Sequence, residues 1–126
     1  MIKQQTVLNV SDNSGAKKVK CIKILGGFKR KVAFLGDLIV VVVSKLRNKA
    51  RNTTKVKKGE IFKALIIKTK NKQVNPDGSH LKFDSNSVIL FNKQENPIGS
   101  RVLGSVPIKI KKSQFSRVYS ISSGTV

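Results

Sequence analysis

Short apolar segments bounded by turn residues constrain the fold of this chain more than any other feature. The longest unbroken segment is Leu38–Val43, and Ile61–Ile67 is nearly continuous, interrupted by Lys63. Segments of this length that are rich in Val and Ile are typical of strands and are far too short to span a bilayer. Because both faces of such strands are apolar, another layer must cover each face, as at the centre of a sandwich or barrel.

Turn sequences separate further strands along the chain. Thr6–Val10 and Val19–Leu25 predict strands on either side of the turn Asp12–Gly15, and Val88–Phe91 predicts a later strand. The sequence Pro76-Asp77-Gly78-Ser79 predicts the turn of a hairpin, because proline presets one dihedral angle and glycine accepts a positive φ.

The alternation of apolar residues slips by one position inside the second of these strands. Val19 and Cys21 share one face, whereas Ile22 and Ile24 share the other. A β-bulge near Cys21 would bring both pairs into one register, so we expect one there.

The complete pattern is mainly β. Five or six strands with turns at regular intervals favour a small closed barrel, which leaves no exposed strand edge. Near the end, the spacing of Phe115, Val118, Tyr119 and Ser122 predicts one short helix against the body. A chain of 126 residues is the size of one ordinary domain, so we expect residues 1–126 to form a single unit.

The charge balance indicates the kind of partner. Lys and Arg number 26 against 6 Asp and Glu, which gives a formal net charge of +20. A compact chain with this charge repels itself unless a polyanion surrounds it. A membrane surface is the competing polyanion, but the cations are spread along the chain and not gathered on one amphipathic helix. We therefore expect a nucleic-acid partner and no membrane partner.

Many of the cations lie in two runs that contain no acid. The first run is Lys17, Lys18, Lys20, Lys23, Lys29, Arg30 and Lys31, and the second is Lys45, Arg47, Lys49, Arg51, Lys55, Lys57 and Lys58. A charge run is usually a solvated face. Two runs flanked by buried-type strands instead indicate loops that project from a barrel and lie along phosphates.

The second run has no apolar anchor of its own. Its neutral side chains suit sugar and phosphate oxygens, and they are Asn48, Asn52, Thr53 and Thr54. We expect this loop to be disordered until RNA binds it. Resistance of Arg47, Lys49 and Arg51 to trypsin in the free protein would contradict that hypothesis.

Catalysis finds little support in the residue types present. His80 is the only histidine, beside a predicted turn, where an exposed loop residue or a phosphate neighbour is the simpler interpretation. The six acids are scattered in turn-like surroundings and form no close pair.

The single cysteine, Cys21, favours a buried apolar role over a zinc site. Gly26-Gly27 belongs to no nucleotide-binding motif, and we expect it to let a loop turn sharply and expose the three cations Lys29, Arg30 and Lys31. We expect no enzyme activity, cofactor, metal or small-molecule substrate.

Aromatic residues bear on how RNA would be recognised. Most of them fall on strand or helix patterns, where core packing is their expected role. Proteins that recognise single strands by stacking need exposed aromatic platforms. We therefore expect recognition of folded RNA by its backbone and shape, with Phe28 as the one aromatic that could be an exception.

Several motifs in this order closely resemble those of the universal large-subunit ribosomal protein L-fourteen. The matching segments are Leu8-Asn9-Val10-Ser11-Asp12-Asn13-Ser14-Gly15-Ala16, Cys21-Ile22-Lys23-Ile24-Leu25-Gly26-Gly27, Gly36-Asp37, Val56-Lys57-Lys58-Gly59-Glu60, Lys63-Ala64 through Lys68-Thr69-Lys70, Pro76-Asp77-Gly78-Ser79, Phe83-Asp84 with Asn86, and Pro97-Ile98-Gly99-Ser100-Arg101 with Gly104. They run collinearly from residue 2 to about residue 106, which makes the resemblance specific.

The resemblance implies a five-stranded β-barrel with one or two short C-terminal helices. It also implies binding to large-subunit rRNA, an inter-subunit bridge to small-subunit rRNA, and contacts with neighbouring ribosomal proteins. The basic residues that carry over by position include Lys17, Lys18, Lys23, Lys57, Lys58, Lys68, Lys70 and Arg101.

The chain also departs from that family in three places. Val74 and Asn75 stand where the family usually has paired arginines, which weakens the case for an RNA contact at that hairpin. The ending lacks the Ala-Pro-Glu-Val of bacterial and plastid members, and an acid expected after the last strand is replaced around Lys109 and Lys111. With the excess of Lys over Arg, these departures favour a mitochondrion-encoded member over a bacterial or plastid one.

Three classes of function are therefore compared. The leading one is a structural constituent of the large ribosomal subunit. The alternative is a free nucleic-acid-binding module, such as a small-barrel translation factor or RNA chaperone. A hydrolase that depends on His80 is the third and least supported.

Overall fold

A computed structural model describes residues 2–47, 56–74, 76–107, 116–122 and 124 of the chain. The elements within these residues are β1 (Val7–Val10), β2 (Ala16–Ile24), β3 (Leu38–Leu46), β4 (Ile61–Lys68), β5 (Gln73–Val74), β6 (His80–Leu81), β7 (Ser87–Phe91) and α1 (Ser116–Ile121). The predicted strands and the short helix near the end are all present, with bounds that shift by at most a few residues. Phe115, which we placed on that helix, lies outside the described residues.

Five of the strands form a closed barrel in the order β1-β2-β3-β4-β7. Within the barrel β1–β2, β2–β3, β3–β4 and β4–β7 pair antiparallel. β1 closes the barrel by pairing parallel with β7, with Asn9 opposite Ser87 and Val10 opposite Val88. The predicted five-stranded barrel is confirmed. Of the one or two helices expected, the described residues contain one, and it is not long or apolar enough to cross a membrane.

A bulge interrupts β2 at the predicted place. Cys21 pairs with Val41 and Lys23 with Val40, so Ile22 is the extra residue. Cys21 and Ile24 consequently both point into the buried interior, while Ile22 remains 40% exposed. The predicted bulge is confirmed, and it lets a strand with slipped alternation keep one apolar face.

The apolar residues form two cores. The interior of the barrel is filled by residues such as Leu8, Val19, Val41 and Leu90. A second cluster lies outside the barrel, where outward-facing side chains of β4 and β7 pack against residues of the later chain. It contains Leu65, Ile67, Ile89, Phe91, Val102, Val106 and Val118. β4 and β7 are therefore the strands buried on both faces.

The expectation of two covered faces is only half right for Leu38–Val43. Ile39, Val41 and Val43 are fully buried, whereas Val40 and Val42 on the other face are partly exposed. The second core covers β4 and β7 and reaches the outer face of β3 only at Leu38, which packs against it.

The Pro76–Ser79 turn joins β5 to β6 in a two-stranded hairpin outside the barrel. Gly78 has a φ of 89°, and the carboxylate Oδ1 of Asp77 accepts hydrogen bonds from the backbone N and the Oγ of Ser79, at 3.0 and 2.7 Å. The predicted hairpin turn is confirmed, and its acid has the structural role expected of it.

Candidate nucleic-acid interface

The first basic run lies mainly on a strand. Lys17, Lys18, Lys20 and Lys23 belong to β2, where Val19 and Cys21 occupy the inward positions between them. The prediction of a projecting loop is therefore wrong for these four lysines. Alternation alone would turn Lys17 and Lys23 inward with Val19 and Cys21, but the register shifts of β2 leave them exposed. The four lysines therefore form a basic outer wall of the barrel.

Neighbouring strands extend this wall on both sides of β2. Lys18 lies opposite Asn9 of β1 and opposite Lys45 of β3, and the Oγ of Ser44 donates a 3.0 Å hydrogen bond to the carbonyl of Lys18. Two like charges in directly opposed positions destabilise a sheet. An anion placed between Lys18 and Lys45 would relieve that repulsion, so this pair is suited to a phosphate.

The remaining cations of the first run lie on a true loop. Gly26 has a φ of 94° and Lys29 a φ of 54°, and this turn exposes Phe28, Lys29 and Lys31. Arg30 behaves differently, since its guanidinium forms an ion pair with Asp37 and donates to the carbonyl of Val32 at 3.1 Å. The expected exposure of three cations holds for Lys29 and Lys31 but not for Arg30.

The second run is described at its two ends. Arg47 donates from its backbone N to the carbonyl of Gly15 at 2.9 Å and from its guanidinium to the carbonyl of Val10 at 3.3 Å, which holds it against the barrel. Lys49, Arg51 and Lys55 lie outside the described residues, as does the loop that we expected to be disordered in free protein.

Lys57 and Lys58 form an exposed turn before β4. The backbone N of Lys57 donates to the carboxylate of Glu60 at 3.3 Å, and Gly59, with a φ of 88°, donates to the carbonyl of Val43 at 2.9 Å. These bonds fix the backbone of the turn while both lysine side chains face solvent. The turn can therefore present two cations without losing its shape.

Three further candidates lie at the ends of strands or loops. Lys68 ends β4, and its Nζ approaches Gly104 so closely that a Cβ on that glycine would lie 2.6 Å from it. Lys70 is exposed, and its backbone N donates to the Oδ1 of Asn86 at 2.9 Å. Arg101 is also exposed, and its backbone N and its carbonyl each form a hydrogen bond with Asn13.

The turn after β1 packs against the segment Pro97–Arg101. The side-chain amide of Asn13 accepts a hydrogen bond from the backbone N of Arg101 at 3.1 Å and donates one to the Oγ of Ser100 at 2.8 Å. The backbone N of Asn13 donates to the carbonyl of Arg101 at 3.2 Å. Two of the motifs on which the resemblance rests are therefore one structural unit, which sets the position of Arg101.

Asp12 anchors the same turn in the protein interior. It is fully buried, and its carboxylate accepts hydrogen bonds from Ser14 and from the backbone N of Leu90 in β7. Burial raises the pKa of Asp12 above its ordinary value, against the opposing effect of these bonds. The sequence predicted a turn at Asp12–Gly15, which the bond to Ser14 fits, but no sequence signal indicates the bond to distant Leu90.

The residues considered for catalysis are not brought together. His80 is exposed on β6. The Cys21 thiol is buried, lies 3.8 Å from the carbonyl of Lys23, and has its pKa raised by burial. Within the described ranges no group of His, Cys, Asp or Glu could hold a metal ion.

Comparison with known families agrees with this architecture. The family described as ribosomal protein L14p/L23e matches residues 1–126, which is the whole chain. The match spans the barrel, the basic wall of β2 and the later segment that forms the second core. The chain therefore belongs to the ribosomal protein L14p/L23e family and is a large-subunit ribosomal protein of the translation machinery.

Proposed function

We propose that this protein is a non-enzymatic structural constituent of the large subunit that binds large-subunit rRNA through its basic wall and loops. The observation that carries the proposal is the opposition of Lys18 and Lys45 on the outer face of the barrel. Exposed cations placed against each other need an anion, and a polyanion with regularly spaced phosphates supplies one.

The distribution of acids supports the same conclusion. Arg30 and Lys63 pair with Asp37 and Glu95, and Asp12 is buried. With 26 cations against 6 acids, most cations have no acid in the chain to neutralise them. Their counterions must come from outside, and releasing those small ions on binding drives association with RNA.

The proposed RNA contacts are exposed or half-buried residues, or lie in the second basic run. Those predicted from the sequence are Lys17, Lys18, Lys20, Lys23, Lys29, Arg30, Lys31, Arg47, Lys49, Arg51, Lys55, Lys57, Lys58, Lys68, Lys70 and Arg101. The structure adds Lys45, because it lies opposite Lys18. We expect Arg30 and Arg47 to contribute least, because their guanidinium groups already bond to protein oxygens.

We further propose that residues 1–126 form one domain, that the protein contributes to a bridge with small-subunit rRNA, and that it works in a mitochondrial ribosome. The whole-chain family match supports the first of these. The resemblance of its motifs supports the bridge, and the lysine-rich composition with the divergent ending, Ile121–Val126, supports the mitochondrion. Bacterial cytoplasm and plastid are the alternatives.

Cosedimentation tests the structural role. Purified large subunits are washed in increasing salt, and the chain is followed in pellet and supernatant. A constituent is also held by packing inside the subunit and stays bound at high salt. A free translation factor or RNA chaperone, held by phosphate contacts alone, is released as salt screens them. Release at moderate salt would support the factor and overturn the constituent.

A further inference from the structure

We propose that Phe28 is a stacking platform for one unpaired base of RNA, with Lys29, Lys31 and Lys3 holding the adjacent phosphates. The inference rests on the proposed binding of rRNA and adds to it a site that recognises a base instead of backbone. Its first observation is the exposure of Phe28, which at 93% is the largest among the exposed apolar side chains described.

Arg30 holds the loop that carries Phe28 in place. The guanidinium of Arg30 donates to the carbonyl of Leu25 before the tip, at 3.5 Å, and to the carbonyl of Val32 after it, at 3.1 Å. The same group forms an ion pair with Asp37. Arg30 thus fastens both sides of the loop to the barrel, and the aromatic ring projects from a fixed base.

The charges around the ring suit a nucleotide. The Nζ of Lys29 lies 5.4 Å from the centroid of the Phe28 ring, and Lys3, Gln4, Lys29, Arg30 and Lys31 line one shallow depression beside the loop. A base has a π-face that stacks on an aromatic ring, and the phosphates on either side of it are attracted to lysines. Single exposed apolar residues are common, but a basic surround favours a nucleic acid over the apolar patch of another basic protein.

The ligand should be an unpaired nucleotide. In a duplex both faces of each base are covered by its neighbours, so a protein ring reaches them only after unstacking. Bases in loops, bulges and single strands offer a free face at little cost. Phe28 would therefore select an irregular part of an otherwise folded RNA.

The test uses the full-length protein with two probes of equal length, a single-stranded oligouridine and a blunt RNA duplex. Phe28→Ala is expected to weaken binding to oligouridine about tenfold and to leave duplex binding unchanged. The slope of log affinity against log salt concentration should stay the same, because no phosphate contact is lost. Lys29→Ala should instead lower that slope by about one for both probes.

Matched variants separate stacking from other effects. Phe28→Tyr keeps a ring and should restore binding to oligouridine, whereas Phe28→Leu keeps an apolar side chain and should not. Phe34→Ala removes a second exposed aromatic, 45% exposed and nearby in the chain, and should leave both affinities as they were. Equal losses on both probes, full rescue by leucine, or no effect of Phe28→Ala would each overturn the stacking site.

A parallel titration with a large-subunit rRNA transcript distinguishes this inference from the proposed function. If the wild-type protein shows no preference for that transcript, the proposed function fails whatever Phe28 does. If the preference is intact but Phe28→Ala behaves as wild type on oligouridine, only the stacking site fails. In assembled subunits, ultraviolet crosslinking should join the tryptic peptide Ile24–Lys29 to a nucleotide, and a crosslink to protein alone would contradict the site.

Discussion

The carboxylate of Asp12 accepts a hydrogen bond from the backbone N of Leu90 at 3.1 Å, and this bond joins the turn after β1 to β7. Its other oxygen accepts from Ser14, so every bond to the carboxylate shapes the same corner of the barrel. Because β1 and β7 are the strands that close the barrel, the bond reinforces the closing seam.

The titration of Asp12 should be visible in the stability of the protein. Its folded pKa is raised above the ordinary value of 3.8, so its contribution to the free energy of unfolding is fully present below pH 3.8 and is lost as the pH rises through the folded value. Urea unfolding of wild type and Asp12→Asn across this range measures the contribution as a difference. We expect the difference, wild type minus variant, to fall with increasing pH, and a rise would contradict it.

Removing the side-chain amide of Asn13 should weaken the contact between the turn after β1 and the segment Pro97–Arg101. Asn13→Ala loses the bonds to Ser100 and to the backbone of Arg101, and we expect a loss of about 1–2 kcal/mol in the free energy of unfolding. Ser100→Ala removes one of these bonds and should cost less, about 0.5–1 kcal/mol. If Ser100→Ala proved the more harmful change, the amide of Asn13 would not be the main link.

The same contact leaves no room for a side chain at Gly99. A Cβ there would lie 2.7 Å from the Oδ1 of Asn13 and 3.0 Å from the Cβ of Asp12. We expect Gly99→Ala to destabilise the fold by about 1–3 kcal/mol, measured by urea unfolding. Gly27→Ala is the control, since its Cβ would meet only the side chain of Arg30 at 3.6 Å, and similar effects of the two changes would refute the steric argument.

Several parts of this fold could be predicted from local pattern alone. The run Leu38–Val43, the bulge at Cys21 and the turn Pro76–Ser79 each follow from side-chain alternation or from backbone preferences of single residues. The pattern also indicated two covered faces for Ile61–Ile67, but it could not tell that a later segment containing Val118 supplies the cover.

The site was harder to predict because strands and loops carry lysines equally well. In sequence Lys18 and Lys20 belong to a run of charges, whereas in the structure Val19 between them points inward and both lysines lie on the outer wall of β2. Arg30 has the same local sequence as its exposed neighbours, and nothing in that sequence indicates its ion pair with Asp37. Contacts between residues far apart in the chain, such as Asp12 with Leu90, leave no periodic trace.

Reversing the charges of Lys57 and Lys58 should weaken rRNA binding without unfolding the barrel. Both side chains are exposed, and the backbone bonds that hold their turn do not involve them. If each lysine contacts one phosphate, the log–log salt slope in a filter-binding assay should drop by about two.

The control for this change is Lys82→Glu with Lys93→Glu, which alters the net charge equally at two exposed lysines outside the proposed interface. Circular dichroism confirms that both double variants are folded. Equal weakening by the two pairs would mean that net charge alone, and not the turn at Lys57 and Lys58, governs the affinity.

Helix α1 should be held to the barrel by Val118. This side chain is buried in the second core, so Val118→Ala should cost about 2 kcal/mol of the free energy of unfolding. Ser120→Ala, on the exposed side of the same helix, should change it by less than about 0.5 kcal/mol. Indistinguishable unfolding midpoints for wild type and Val118→Ala would show that the helix adds nothing to the stability of the fold.

The parallel pairing of Asn9 with Ser87 and of Val10 with Val88 also bears on how the protein is made. A nascent chain cannot form this pairing until β7 has left the exit tunnel, so β1 waits through most of synthesis with an unsatisfied edge. Such an edge promotes aggregation, and a long separation between partners slows folding. The interval before β7 emerges is therefore when a newly made copy most needs a chaperone.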